Sequence, residues 1–91
     1  MTRVNGVITE DVGVKGIKES PIEIGAWIKI RQEDGKECSC LICNYASLEY
    51  CYLHEEQLEK GTLVEMTGAI ISREDCDFLI VDEGVGIRIL N

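Results

Sequence analysis

The sequence predicts an all-β domain: a five- to six-stranded Greek-key barrel with one short helix between strands 3 and 4. Three observations carry the prediction. Apolar and polar residues alternate at period two in several short stretches, the spacing of half-buried strands. Turn residues separate these stretches, with Asp34-Gly35 the clearest signal. Between residues 46 and 61 alone, the spacing changes to that of a helix. A chain of 91 residues, without a repeat or linker, reads as a single domain over 1–91 with one modest core.

In chain order, "RVNGVIT" (3–9) is the first strand. "DVGVKGIKESP" (11–21) is punctuated by glycine and fits a ragged strand or a loop equally well. Residues 22–32 and 36–43 form a hairpin around Asp34-Gly35. "ASLEYCYLHEEQLEKG" (46–61) is helical, with Ser47 a plausible N-cap, Leu48, Cys51 and Leu58 inward, and Gly61 ending it; a shorter helix over 54–60 is the alternative. Strands then follow at 62–71, 77–82 and 86–90, with the acidic stretch "REDCD" (73–77) expected at a solvated hairpin tip.

The hairpin poses the functional question. Ile28 and Ile30 claim one face of its first strand, which turns Trp27, Lys29 and Arg31 to the other. With a two-residue turn, Arg31 lies opposite Cys38, Lys29 opposite Cys40 and Trp27 opposite Ile42. A bulge at Gly35 would change those partners without turning Trp27, Lys29 and Arg31 over. The single tryptophan of an acidic chain thus stands in line with cations on the side a small domain usually leaves to water.

A helix inserted between the third and fourth strands is the arrangement of the OB-fold barrel. From about residue 37 to 71 the sequence resembles the second half of single-stranded DNA-binding proteins and their primosomal PriB-like relatives. The resemblance rests on Ala46 after a strand, the step Leu58-x-Lys60-Gly61, and a strand from Val64 closing on Gly68. "NGVIT" is similar to the family's opening strand. The resemblance implies an OB-fold that binds single strands on one sheet face.

Composition narrows the rest. The formal charge of −8 opposes nucleic-acid binding as a whole-molecule property. Its distribution is uneven, however: residues 1–36 hold six basic and six acidic side chains, and 37–91 hold three against eleven. No apolar run can cross a bilayer, and "MTRVNGVITEDVG" lacks the apolar region of a secretion signal, so a cytoplasmic protein is expected. The odd cysteine count, five, then favours reduced, buried thiols over a disulfide framework.

Cys40, Cys43, Cys51 and His54 have the form of two Cys-x2-Cys/His pairs, which could suggest zinc. The first pair falls in a strand, where residues three apart point to opposite faces, so no metal and no cofactor is expected. No nucleophile elbow, phosphate loop or carboxylate pair beside a base is present, and a non-enzyme is expected. The favoured function is binding of single-stranded nucleic acid, DNA ahead of RNA, with low sequence specificity. Trp27, Lys29 and Arg31 would form the platform, with Lys15, Lys18 and Lys36 touching phosphates. The alternative is an OB-fold adaptor for a protein partner, a second copy of the chain included.

Overall fold

The computed structural model describes residues 1–10 and 25–91 in full and the backbone of 13–15. Its elements are β1 (Thr2–Ile8), β2 (Gly13–Lys15), β3 (Gly25–Gln32), β4 (Glu37–Ile42), α1 (Tyr45–Leu53), a 3-10 turn (Glu55–Gln57), β5 (Leu63–Ser72), β6 (Cys76–Val81) and β7 (Ile87–Ile89). Hydrogen bonding runs β1-β3-β4-β6-β5, and pairing of β5 back onto β1 closes the ring. Only β4 and β6 run parallel, from Glu37 beside Cys76 to Ile42 beside Val81. The short strand β2 adds to β3, and β7 adds to β5. With α1 between the third and fourth barrel strands, this is the OB-fold Greek-key barrel that the sequence predicts.

Alternation builds the interior. Ala26, Ile28 and Ile30 of β3 face Cys38, Cys40 and Ile42 of β4, and Val64, Met66, Leu79 and Val81 complete the ring. Leu48 and Cys51 of α1 are also buried, as their helical spacing predicts, and Leu58 is buried beyond the helix end. The long strand β5 changes partners partway: its first part pairs with β1 as far as Gly68, and its last with β6 from Ala69. Gly68 stands at that bend, with the Ile80 backbone too close to admit a Cβ. Gly61 reverses the chain just before β5 at a φ of 97°. Gly61 and Gly68, both part of the sequence pattern, thus occupy a chain reversal and a strand bend.

Some local expectations are corrected. The helix spans Tyr45–Leu53, not 46–61 or 54–60: Asn44 in extended conformation (φ −119°, ψ 153°) is its N-cap, and His54, out of helical conformation, ends it. Ser47 is not the cap but a buried clasp. Its Oγ donates to the Gly84 carbonyl at 3.0 Å and accepts from the Gly86 N–H at 2.9 Å. Asn44 Nδ2 donates to the same Gly84 carbonyl. The helix start is therefore tied to the turn between β6 and β7. Within the ambiguous segment 11–21, residues 13–15 form a strand, and the remainder lies outside the described residues.

Asp77 is a further correction, since it is buried at an end of the barrel and not exposed at a hairpin tip. Gln32 Nε2 donates to its Oδ2 at 2.9 Å, and Lys36 Nζ lies 3.0 Å from Oδ1. These bonds, Gln32 first, hold the Asp77 carboxyl below the usual carboxylate range. The bond to Asp77 in turn raises Lys36 above its ordinary value. An acid with a depressed folded pKa contributes stability that is present above its unfolded value and lost as pH falls through the folded one. The stability gap between wild type and Asp77→Asn is therefore expected to narrow below about pH 4. Urea midpoints at neutral and acid pH check this, and a gap independent of pH would contradict it.

Candidate functional site

Trp27, Lys29 and Arg31 all point away from the core, as the alternation with Ile28 and Ile30 requires. Trp27 is 54% exposed. Its neighbour across the β2 side is Gly13, which has no side chain to cover the indole. On the β4 side the neighbour is Leu41, not Ile42.

The hairpin register is thus one residue from that of a two-residue turn. Gln32 and Lys36 close a three-residue loop of Glu33, Asp34 and Gly35, with Gly35 at a φ of 89° and the Lys36 N–H bonded to Asp34 Oδ1. This is the bulged form of the turn. Its consequence is chemical: Cys38 and Cys40 move to the core, while Glu37, Ser39 and Leu41 share the outer face with Arg31, Lys29 and Trp27.

Strand pairing carries that face further. Leu41 is followed by Ile80 and Ala69, and Ser39 by Phe78 and Ile71. Trp27, Leu41, Ile80, Phe78 and Ile71 therefore share one continuous outward surface, with Trp27 and Ile71 the more exposed and the middle three half-buried. The last four were not among the sequence-predicted site residues. In "CLIC" and "DFLIV" both strand faces are apolar, so periodicity does not say which apolar residues turn outward.

The cations of the predicted platform have different surroundings. Lys29 lies 3.5 Å from Glu10 in an exposed pair, which solvent screens. Arg31 makes no ion pair among the described residues and stands across from Glu37. Lys36 is drawn to Asp77 at the barrel end, away from the row formed by the other two. Lys15 ends β2 beside the backbone of Gly25, its side chain outside the described residues, as is all of Lys18.

The four zinc candidates have different surroundings in the fold. Cys40 and Cys51 are in the core, Cys43 is exposed, and His54 rests on the Tyr50 ring at 4.3 Å between centroids. Among the described residues, no group of three or more His, Cys, Asp or Glu side chains could hold a metal ion. The Cys43 thiol donates to the Val81 carbonyl at 3.5 Å. Contact with Cys38 and burial push the Cys40 thiol up, and burial pushes Cys51 up to about 11. Iodoacetamide is therefore expected to modify Cys43 and Cys76 first, leaving Cys38, Cys40 and Cys51 protected until the protein unfolds. Peptide mass spectrometry of a timed reaction checks the order, and early modification of Cys40 would contradict it.

On the other flank of β3 lies an open groove of about 740 Å³, lined by residues of β1, the β3–β4 turn and the turn before β5. No helix among the described residues is long and apolar enough to cross a membrane. No protein-family model matches the chain, and no curated protein matches it. The class of the molecule, an OB-fold barrel, rests on its own strand order and helix placement.

Proposed function

We propose that this OB-fold protein is a non-enzymatic binder of single-stranded nucleic acid, DNA ahead of RNA, with little sequence preference. The observation that carries the reading is the 54% exposed indole of Trp27 on the outer face of β3, in line with Lys29 and Arg31. Strands β3 and β4 are the second and third of the barrel, the pair whose outer face takes oligonucleotides in OB-folds. Every base offers a π-face, so stacking on Trp27 needs no sequence readout. Phe78, two strands across the same face, offers a second ring. Lys29 can exchange its exposed Glu10 partner for a phosphate at small cost.

A protein partner is the second reading, favoured by a separate observation. Leu41, Phe78, Ile80 and Ile71 extend the apolar surface well beyond what a single indole needs, while the chain carries −8. An adaptor that buries this face, against another protein or a second copy of itself, requires no basic groove.

Titration with oligo-dT and oligo-U at two salt concentrations, read by Trp27 fluorescence, separates the readings. Nucleic-acid binding predicts quenching that weakens with salt through counterion release. If neither oligonucleotide changes the emission or binds by any other readout, the first reading is overturned.

A further inference from the structure

The outward grid of side chains has a second arm. On the flank of β3 opposite β4, Arg31 stands beside Val7 of β1, and Val7 stands beside Leu63 of β5. These three line the groove of about 740 Å³, together with Asn5, Glu33 and Lys60. That volume lies within the usual range for a small-ligand site. The floor is aliphatic, with Val7 41% exposed. Glu33 in the β3–β4 turn forms one rim, and Lys60 and Gly61 form the other, kept low by the glycine.

We propose that a bound single strand runs along β3 from Trp27 past Lys29 to Arg31 and then turns across β1 into this groove. There Arg31 and Lys60 engage backbone phosphates from opposite walls, and a sugar or base rests on Val7 and Leu63. The inference rests on the nucleic-acid reading and assigns the path of the ligand within it.

Charge decides the direction. A phosphodiester chain carries one anion per nucleotide and needs cations along its route. The outward residues of β4 and β6 are Glu37, Ser39, Leu41, Cys76, Phe78 and Ile80, which include an acid and no cation. Among the described residues the groove instead offers Arg31, already part of the Trp27 row, and Lys60, which would exchange its present partner for a phosphate, beside one acid, Glu33. From Trp27 to Arg31 is four residues of strand, about 14 Å at about 3.4 Å per residue. A ligand that reaches the groove is therefore several nucleotides long, and a shorter one stacks on Trp27 alone. This also gives Lys60 a role that its place in the Leu58-x-Lys60-Gly61 step does not reveal.

The test compares oligo-dT of about four and about sixteen nucleotides, the ends of the usual range for one OB barrel. Affinity is measured against salt for wild type, Lys60→Gln and Val7→Glu. Wild type is expected to bind the longer oligonucleotide more tightly. Lys60→Gln should lower the salt slope for the longer one by about 0.7, the loss of one phosphate contact to a single strand, and leave the shorter one unaffected. Val7→Glu, which puts an anion on an exposed floor position, should remove the gain from length. If Trp27 is quenched but neither variant changes affinity or slope, the path is overturned and the nucleic-acid reading stands. If no oligonucleotide binds the wild type, the reading itself fails and takes the path with it.

Discussion

Trp27→Ala is expected to weaken oligo-dT binding by about 1–3 kcal/mol, the worth of one stacked base, while the barrel stays folded. The side chain is 54% exposed and lies outside the core ring, so its removal opens no internal cavity. Because it is the only tryptophan, the measurement needs calorimetry or a labelled oligonucleotide in place of intrinsic fluorescence. Trp27→Phe, which keeps a ring, should recover part of the loss. In the adaptor reading, the same alanine substitution splits a complex and leaves oligonucleotide affinity unchanged. A Trp27→Ala protein that does not fold would contradict both, since each needs the indole on a contact surface. Circular dichroism and a urea titration settle that point before any ligand is added.

Gly68→Ala is expected to be the most damaging single-atom-scale change to the fold, lowering stability by about 3 kcal/mol or more. An added Cβ there meets the Ile80 carbonyl oxygen and carbon, which are backbone and cannot rotate aside as a side chain would. Relief requires moving β6 away from β5 where the pairing of Ala69 with Ile80 begins. That movement would also disturb Leu79 and Val81 on the inner face. For a domain whose total stability is of the usual order of 5–15 kcal/mol, such a loss is a large fraction. Ala69→Ser, one residue on and exposed, is the control and should change stability by no more than about 0.5 kcal/mol. Urea midpoints of the pair give the comparison. Equal midpoints would show that β5 and β6 are free to separate at the bend.

Periodicity explains why so much of the barrel was legible. Each strand's inner residues are chosen by contact with water or core, a property that a two-residue alternation records locally. Ile28 and Ile30 therefore announced the inward face of β3, and Trp27, Lys29 and Arg31 the outward one. Helical spacing likewise made Leu48 and Cys51 legible as inward positions, whereas Leu58, also buried, lies beyond the helix end at Leu53. Gly61 and Gly68 stood out in the sequence pattern, and they hold the reversal and the bend because only glycine tolerates a positive φ or so close a backbone without strain.

Other features depended on contacts that no local pattern contains. Asp34-Gly35 is compatible with two-residue and three-residue loops, and the hydrogen bonding of Gln32 with Lys36 chose the longer one. That choice sent Cys38 and Cys40 inward and brought Leu41 beside Trp27. Asn44 and Ser47 are both good capping residues by type, yet Ser47 is held in the interior by Gly84 and Gly86, about forty residues later in the chain.

The candidate site divides along the same line. Alternation within one strand, a property of covalent geometry, by itself determined that Trp27, Lys29 and Arg31 face outward together. Only the tertiary structure decided what stands beside them, because neighbours across a sheet are joined by hydrogen bonds between distant segments. Parallel pairing of β4 with β6 placed Phe78 and Ile80 on the same surface, and Asp77 drew Lys36 away from it. Closure of β1 against both β3 and β5 set Val7 between Arg31 and Leu63, and so made the groove.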